Sequence, residues 1–322
     1  MILSAKTLIK FARGGASYTS DKGVFRAFRF SEEQIKYMKS NAFDQGWTAW
    51  AMHTGAVRLE FKTDATKISF DYVSSSYIKE SNTVDFIVDG KLEAVYRVDD
   101  SPKGHIEHTM AKGEKKIVIC LPCIASFGIK KFTINGGYKS VPFPKKKILI
   151  LGDSITHGGG PLMSSATYVN MLAMKTGYEI IGQGIAGYRY EPREKMMVCD
   201  GFNPDKVVVF LGTNYYEADH IEQGYDYKKA VYEYYDKLVK LYPTTPILCV
   251  TPLWRNNGVD WERFNWCIDT IKSACARYER IKVIDGLDIV PHADEFFADK
   301  IHPTAYGSTF IASAIEKALK QI

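Results

Sequence analysis

Ile148-Leu149-Ile150-Leu151-Gly152-Asp153-Ser154-Ile155-Thr156 is the stretch on which the fold turns. Four consecutive apolar residues suit a short strand buried on both faces, as in parallel sheets. Gly152 ends the run and permits a tight turn. The next small side chain is then presented at the carboxyl end of the strand, where open α/β sheets carry their sites. Ser154 is therefore a candidate nucleophile, provided that a base and an oxyanion hole accompany it.

Downstream, the pattern repeats. Apolar segments at 207–211, 247–250 and 282–284 alternate with helical patterns near 165–176, 225–241, 261–278 and 304–320. Strands interleaved with amphipathic helices predict a parallel sheet with helices on both faces. Upstream, the period is different. Val57–Phe61 and Lys67–Tyr72 alternate apolar and polar residues, as half-buried strands do. The runs 84–88 and 92–98 flank Asp89-Gly90, a hairpin signal, and 115–119 and 130–134 continue the pattern. Short strands with frequent turns predict a β-sandwich of jelly-roll type. Two prolines in Val141-Pro142-Phe143-Pro144 mark the junction. The expected organisation is a β-sandwich over 1–140, a linker at 141–146 and an α/β domain over 147–322.

The base and the oxyanion donors follow in order. Asp299-Lys300-Ile301-His302 sets a carboxylate and an imidazole three residues apart. His302 suits a general base, since an unperturbed imidazole titrates near ~6.5. Asp299 would fix its tautomer. Gly187 and Asn214 each follow apolar segments and can supply hydrogen-bond donors, one from the backbone and one from an uncharged amide.

These blocks resemble the SGNH, or GDSL-type, hydrolases. Gly152-Asp153-Ser154-Ile155-Thr156 matches the first block of that family, Gly184-Ile185-Ala186-Gly187 the second, Gly212-Thr213-Asn214 the third, and Asp299-x-x-His302 the last. The resemblance implies a three-layer α/β/α domain. It also implies a triad of Ser154, His302 and Asp299, with an oxyanion hole built from the Ser154 and Gly187 amides and the Asn214 side chain. Gly184 is the alternative glycine, because G-x-x-G aligns either way. Asp153 reads as an organiser behind the triad. Tyr215 stands where the family usually carries an acid after the third-block Asn. A β-sandwich ahead of this domain is similar to the layout of the family-two carbohydrate esterases. Some of these lack the acid of the triad, whereas Asp299 is present here. The expected activity is hydrolysis of short acyl esters, above all acetyl esters on carbohydrate, through an acyl-enzyme on Ser154. The alternatives are lysophospholipase, thioesterase or acyltransferase chemistry, or a non-catalytic carbohydrate-binding protein. A lipid enzyme should show a long apolar lid, and none is read.

His157, Tyr188, Tyr215 and Trp254 follow motif loops or strand ends and are candidates for the substrate pocket. Gly158-Gly159-Gly160 lacks the Lys-Ser/Thr of a phosphate loop and reads as a flexible rim. No metal or other cofactor is expected, because His53, His105, His108, His220 and His292 lack ligand spacing. Cys120-Leu121-Pro122-Cys123 has redox spacing but lies at the end of a strand pattern, so structural thiols are expected. The net charge of +5 is mild, and its densest cluster, Lys145-Lys146-Lys147, sits at the junction without a recognition motif. No nucleic-acid or membrane partner is expected. Lys6 and Lys10 interrupt the first apolar residues, so a cytoplasmic enzyme is expected.

Overall fold

Ile148, Leu149, Ile150 and Leu151 are all buried, and alternate residues enter different cores. In this computed structural model, which describes residues 1–40, 43–75, 80–98, 101–214 and 225–322, their strand is the second of five in a parallel sheet. The order is Glu179–Gly184, Lys147–Gly152, Lys206–Phe210, Ile247–Val250, Ile281–Ile284. Leu149, Leu151, Val207 and Val209 pack under the helices Tyr227–Leu241 and Trp261–Cys275. Ile148, Ile150, Val208 and Leu248 pack under Tyr168–Thr176 and Ala305–Leu319 on the other face. Period-two alternation thus serves two apolar faces, which makes the strands read as continuous apolar runs. The result is a three-layer α/β/α domain. The strand Glu179–Gly184 is an addition to those expected from the sequence. Its Gly182, Gln183 and Gly184 interrupt the apolar signal, although every residue of it is buried.

The N-terminal region forms two antiparallel sheets. One runs Ala12–Arg13, Arg58–Thr63, Lys115–Cys120, Thr83–Val88, Lys91–Arg97, with Tyr138–Ser140 also paired to Arg58–Thr63. The other runs Ser17–Asp21, Val24–Phe28, Gly128–Ile134, Lys67–Val73, Lys103–Thr109. Phe61, Phe86, Ile117 and Ile119 from the first meet Phe25, Ile68, Phe70 and Phe132 from the second in a separate core. Stacked rings of Phe70 and Phe132, 5.4 Å apart, join its centre. This is the expected sandwich.

The sandwich does not hold all of residues 1–140. Helices Glu32–Ser40 and Gln45–Ala51 leave it, and Phe30, Met38, Phe43 and Ala51 join the core of the parallel sheet. The first of these helices carries a capping box. Ser31 N–H donates to Gln34 Oε1, and Gln34 N–H donates to Ser31 Oγ. Asp44 caps the second by accepting from Trp47 N–H at 3.0 Å. Arg29, fully buried, fastens this excursion to the parallel-sheet side. It donates to the carbonyls of His53, Trp50 and Gly184. Burial pushes its guanidinium down to about 9. The six cysteines are all free and buried.

Candidate active site

Ser154, Gly187 and Asn214 follow three neighbouring strands of the parallel sheet, so all three stand at its carboxyl edge. Gly152 ends its strand, and Asp153 caps a single helical turn, Ser154–His157, by accepting from Ile155 N–H at 3.0 Å. Ser154 is the first residue of that turn, where the backbone N–H has no partner within the helix. The fourth contribution arrives from the far end of the chain. Asp299 Oδ1 accepts the backbone N–H of Ile301 at 3.1 Å and of His302 at 2.8 Å. Lys300 takes φ 69°, in the left-handed region, and closes the turn. Asp299 and His302 therefore face each other across one tight loop.

Three side chains meet in a line. Asp299 Oδ2 lies 2.7 Å from His302 Nδ1, and His302 Nε2 lies 2.7 Å from Ser154 Oγ. An ionised carboxylate only accepts, so Nδ1 carries the proton and donates. Nε2 of the neutral ring is then free to accept from the Ser154 hydroxyl. Burial opposes charge on both partners, but their mutual hydrogen bond and charge prevail. Asp299 is held well below the usual carboxylate range, helped by the Ile301 and His302 amides. His302 is held above its ordinary 6.5 by Asp299 and, at longer range, by Asp153 and Glu80. Asp153 is almost fully buried and is pushed up to about 7 by that burial, against the pull of Ile155 N–H, His302 and Arg255.

Asn214 Nδ2 donates to the carbonyl of Tyr188 at 3.0 Å, which ties the third block to the loop of the second. A primary amide has two hydrogens, so one remains to point elsewhere. Gly187 has φ 72° in that loop. Gly184, the other glycine of the block, is committed to packing. A Cβ there would come within 2.3 Å of His157 N.

Two pocket candidates lie elsewhere than expected. His157 is 1% exposed and packs its ring 5.7 Å from Trp50 and 5.2 Å from His53, beneath the site and away from its mouth. It sits three residues past Ser154 on a one-turn helix whose inner side is the core. Tyr188 is also buried, with its ring 5.0 Å from Trp47, and it meets the site through its carbonyl. Trp254 is partly buried and stacks on His292 at 5.4 Å. Tyr215 lies outside the described residues. The glycines Gly158–Gly160 are buried and close-packed, in place of the expected flexible rim. A Cβ on Gly160 would come within 2.2 Å of Pro303 O, and one on Gly159 within 2.9 Å of His302 Cδ2.

Several residues near the site have no local sequence signal. Arg255 is buried and donates to the carbonyl and hydroxyl of Thr213, beneath Asn214. The Nε1 of Trp47 would lie 3.6 Å from a Cβ on Gly187. Glu80 and Ser81 reach the glycine loop from the sandwich. Only the capping signals at Ser31 and Asp44, which predict helices, could have brought Trp47 to attention. Among the described residues, no three His, Cys, Asp or Glu side chains gather as a metal set. Nor is any described helix long and apolar enough to cross a membrane.

A three-layer α/β/α domain with this line of side chains at its carboxyl edge has the form of a carboxylic ester hydrolase. The GDSL-like lipase/acylhydrolase family matches residues 150–309, and through them the chain belongs to that family and is an ester hydrolase. No curated protein matches the chain in sequence. Solved structures share the fold over both halves. The salicylyl-acyltransferase SsfX3 from a tetracycline biosynthetic pathway is 17% identical, with 96% of this chain and 94% of that one covered and a TM-score of 0.72. A protein described as a GDSL-like lipase from Bacteroides ovatus is 15% identical, with 100% and 97% covered and a TM-score of 0.78. A family-two carbohydrate esterase from Clostridium thermocellum, solved with cellohexaose, is 15% identical, with 83% and 92% covered and a TM-score of 0.64.

Proposed function

We propose that the protein is a serine esterase that hydrolyses short acyl esters, acetyl esters of carbohydrates in particular. The observation that carries the serine mechanism is the chain Asp299–His302–Ser154, with 2.7 Å at each link. In this reading Ser154 Oγ attacks the acyl carbonyl while His302 Nε2 takes its proton. The oxyanion is held by the backbone N–H of Ser154 and Gly187 and by Asn214 Nδ2. Collapse expels the alcohol, which receives the proton from His302. Water, activated by the same imidazole, then releases the acid from Ser154. Asp299 keeps the proton on Nδ1 and stabilises the imidazolium.

Acetylated sugar as substrate is supported by the likeness to carbohydrate esterases, of which one is an acetyl xylan esterase from Butyrivibrio proteoclasticus. A second reading is favoured by one observation. The acyltransferase SsfX3 superposes with a TM-score of 0.72, against 0.60–0.64 for the carbohydrate esterases. The same acyl-enzyme would then pass its acyl group to an alcohol.

The test is a panel of acetyl, butyryl and octanoyl esters, acetylated xylo- and cello-oligosaccharides, and added acceptor alcohols, with Ser154→Ala as control. Acetyl esters should be fastest, with free acid as product, and Ser154→Ala should lose roughly 10⁶ in turnover. A methylene accepted by an apolar pocket is worth ~1–3 kcal/mol, so rates rising from acetyl to octanoyl would reject the sugar-ester reading. Ester products on the added alcohols would favour transfer.

A further inference from the structure

We propose that Glu80 and Ser81, on the sandwich side of the molecule, are positioning residues that clamp the Gly158–Pro161 loop against His302. The proposal rests on the serine-esterase reading for the role of His302. The contacts are direct. Gly160 N–H donates to Glu80 Oε2 at 3.0 Å. Ser81 Oγ lies 2.6 Å from the carbonyl of Gly158 and 2.7 Å from that of Pro161, and shares its one hydrogen between them. Ser81 N–H also donates to the Pro161 carbonyl, at 2.9 Å.

The loop held in this way touches His302 and has no slack. Its Gly160 has φ 104°, and a Cβ there would come within 3.0 Å of His302 Cβ as well as striking Pro303 O. From the other side, Gly158 and Gly159 both donate to the carbonyl of Ser154. The loop thus bridges Ser154 and His302, and any slip in it changes their separation. Ser81 is itself fully buried, with φ 46°, a conformation that serine adopts at a cost. Its neighbours hold it there. Its carbonyl accepts from Cys123 N–H at 2.8 Å and from Ser164 Oγ at 2.6 Å. A strained residue fixed on every side is a rigid peg, and both carbonyls of the loop hang on it.

Glu80 adds a charge. The carboxylates that act on His302 are Asp299 in its own turn, Asp153 at the end of the strand and Glu80 from the sandwich, and each favours the imidazolium. The sandwich would therefore adjust both where the imidazole sits and how readily it holds a proton.

The experiment measures two quantities on the full-length protein. One is kcat and KM for an activated acetyl ester across pH. The other is the NMR titration of the His302 ring, assigned by its loss in His302→Gln. Glu80→Gln keeps an acceptor for Gly160 N–H and removes the charge. It should move the His302 titration and the acid limb of kcat/KM to lower pH together, with KM unchanged. Ser81→Ala removes the peg. It should lower kcat by about tenfold, with KM within about twofold, because a loosened base affects the chemical step more than binding. Wild-type titration and kcat in both variants would overturn the proposal, and so would a change confined to KM. If Ser81→Ala does not fold, Glu80→Ala, which removes the acceptor of Gly160 N–H as well as the charge, decides: kcat should fall further than in Glu80→Gln, and equal kcat in the two would overturn the clamp. If the wild-type protein cleaves no ester but Glu80→Gln still moves the His302 titration, the esterase reading fails and the action of Glu80 on His302 stands.

Discussion

The two halves of this molecule divide the work unequally. In the parallel half, strands buried on both faces run the same way, so their carboxyl ends deliver Ser154, Gly187 and Asn214 to one edge. In the sandwich, neighbouring strands run oppositely and their loops scatter to both ends, which leaves no single edge to collect reactive groups. Yet the sandwich half is not a bystander. Arg29 reaches the carbonyl of Gly184, and Glu80 and Ser81 hold the glycine loop. The lesson is that one half supplies the proposed reacting groups and the other supplies much of the rigidity around them. Such supports matter because a displacement of ~1 Å can cost ~10² in rate.

Asp299→Asn tests the division most severely. The change removes the charge that holds His302 up and can invert its tautomer, so kcat should fall by up to ~10⁴. Any residual kcat/KM should show its acid limb at lower pH than in the wild type, where that limb should lie above 6.5. A pH–rate profile with an activated acetyl ester measures both. Near-wild-type rates would give the role of acid to another group and break the assignment of all reacting groups to the parallel half.

Asn214→Ala should lower kcat by ~10²–10³ and leave KM nearly unchanged, since an oxyanion donor acts on the transition state. Steady-state kinetics on the same ester decides it. A change in KM alone would make Asn214 a binding residue.

Arg29→Met probes the bond between the halves. It leaves three carbonyls, one buried and two partly buried, without their cation, and hydrogen bonds to a charged group contribute ~1.5–3 kcal/mol each. Urea unfolding should show one transition, moved to lower denaturant by about 2–4 kcal/mol of stability. Two separate transitions in the variant would mean that the halves hold together chiefly through Arg29.

The smallest effect concerns acid stability. Burial, aided by Arg29, pushes His53 down to about 3 and His157 well below 6.5. Above pH 6.5 both are neutral, folded or unfolded. As pH falls from 6.5 towards 3, the unfolded chain takes up protons that the folded one refuses, so stability falls. Asp153, raised to about 7, pulls the other way, so the informative quantity is a difference. Between pH 6 and 4, His157→Phe should lose less stability than wild type, by up to about 1.4 kcal/mol per pH unit. Parallel pH curves for the two proteins would show that His157 takes up its proton as readily in the fold as out of it.

Much of this was legible in the chain, for identifiable reasons. A strand buried on both faces writes itself as Ile148–Leu151, and an alternating strand as Lys67–Tyr72, because burial selects residue type position by position. The blocks Gly152–Thr156, Gly184–Gly187, Gly212–Asn214 and Asp299–His302 each sit at a strand end or a helix start, where local geometry limits which residues fit. Other features depend on what lies across the fold, and there the sequence is silent. The orientation of His157 was decided by Trp50 and His53, and the rigidity of Gly158–Gly160 by His302 and Pro303. Phe30, Met38, Phe43 and Ala51 joined the core of the parallel domain, although the chain placed them amid the sandwich strands. Local order follows from neighbours in sequence, and could be read there. Partners such as Glu80 for Gly160, 80 positions apart, are chosen only when the two halves close on each other, and tertiary structure alone could decide them.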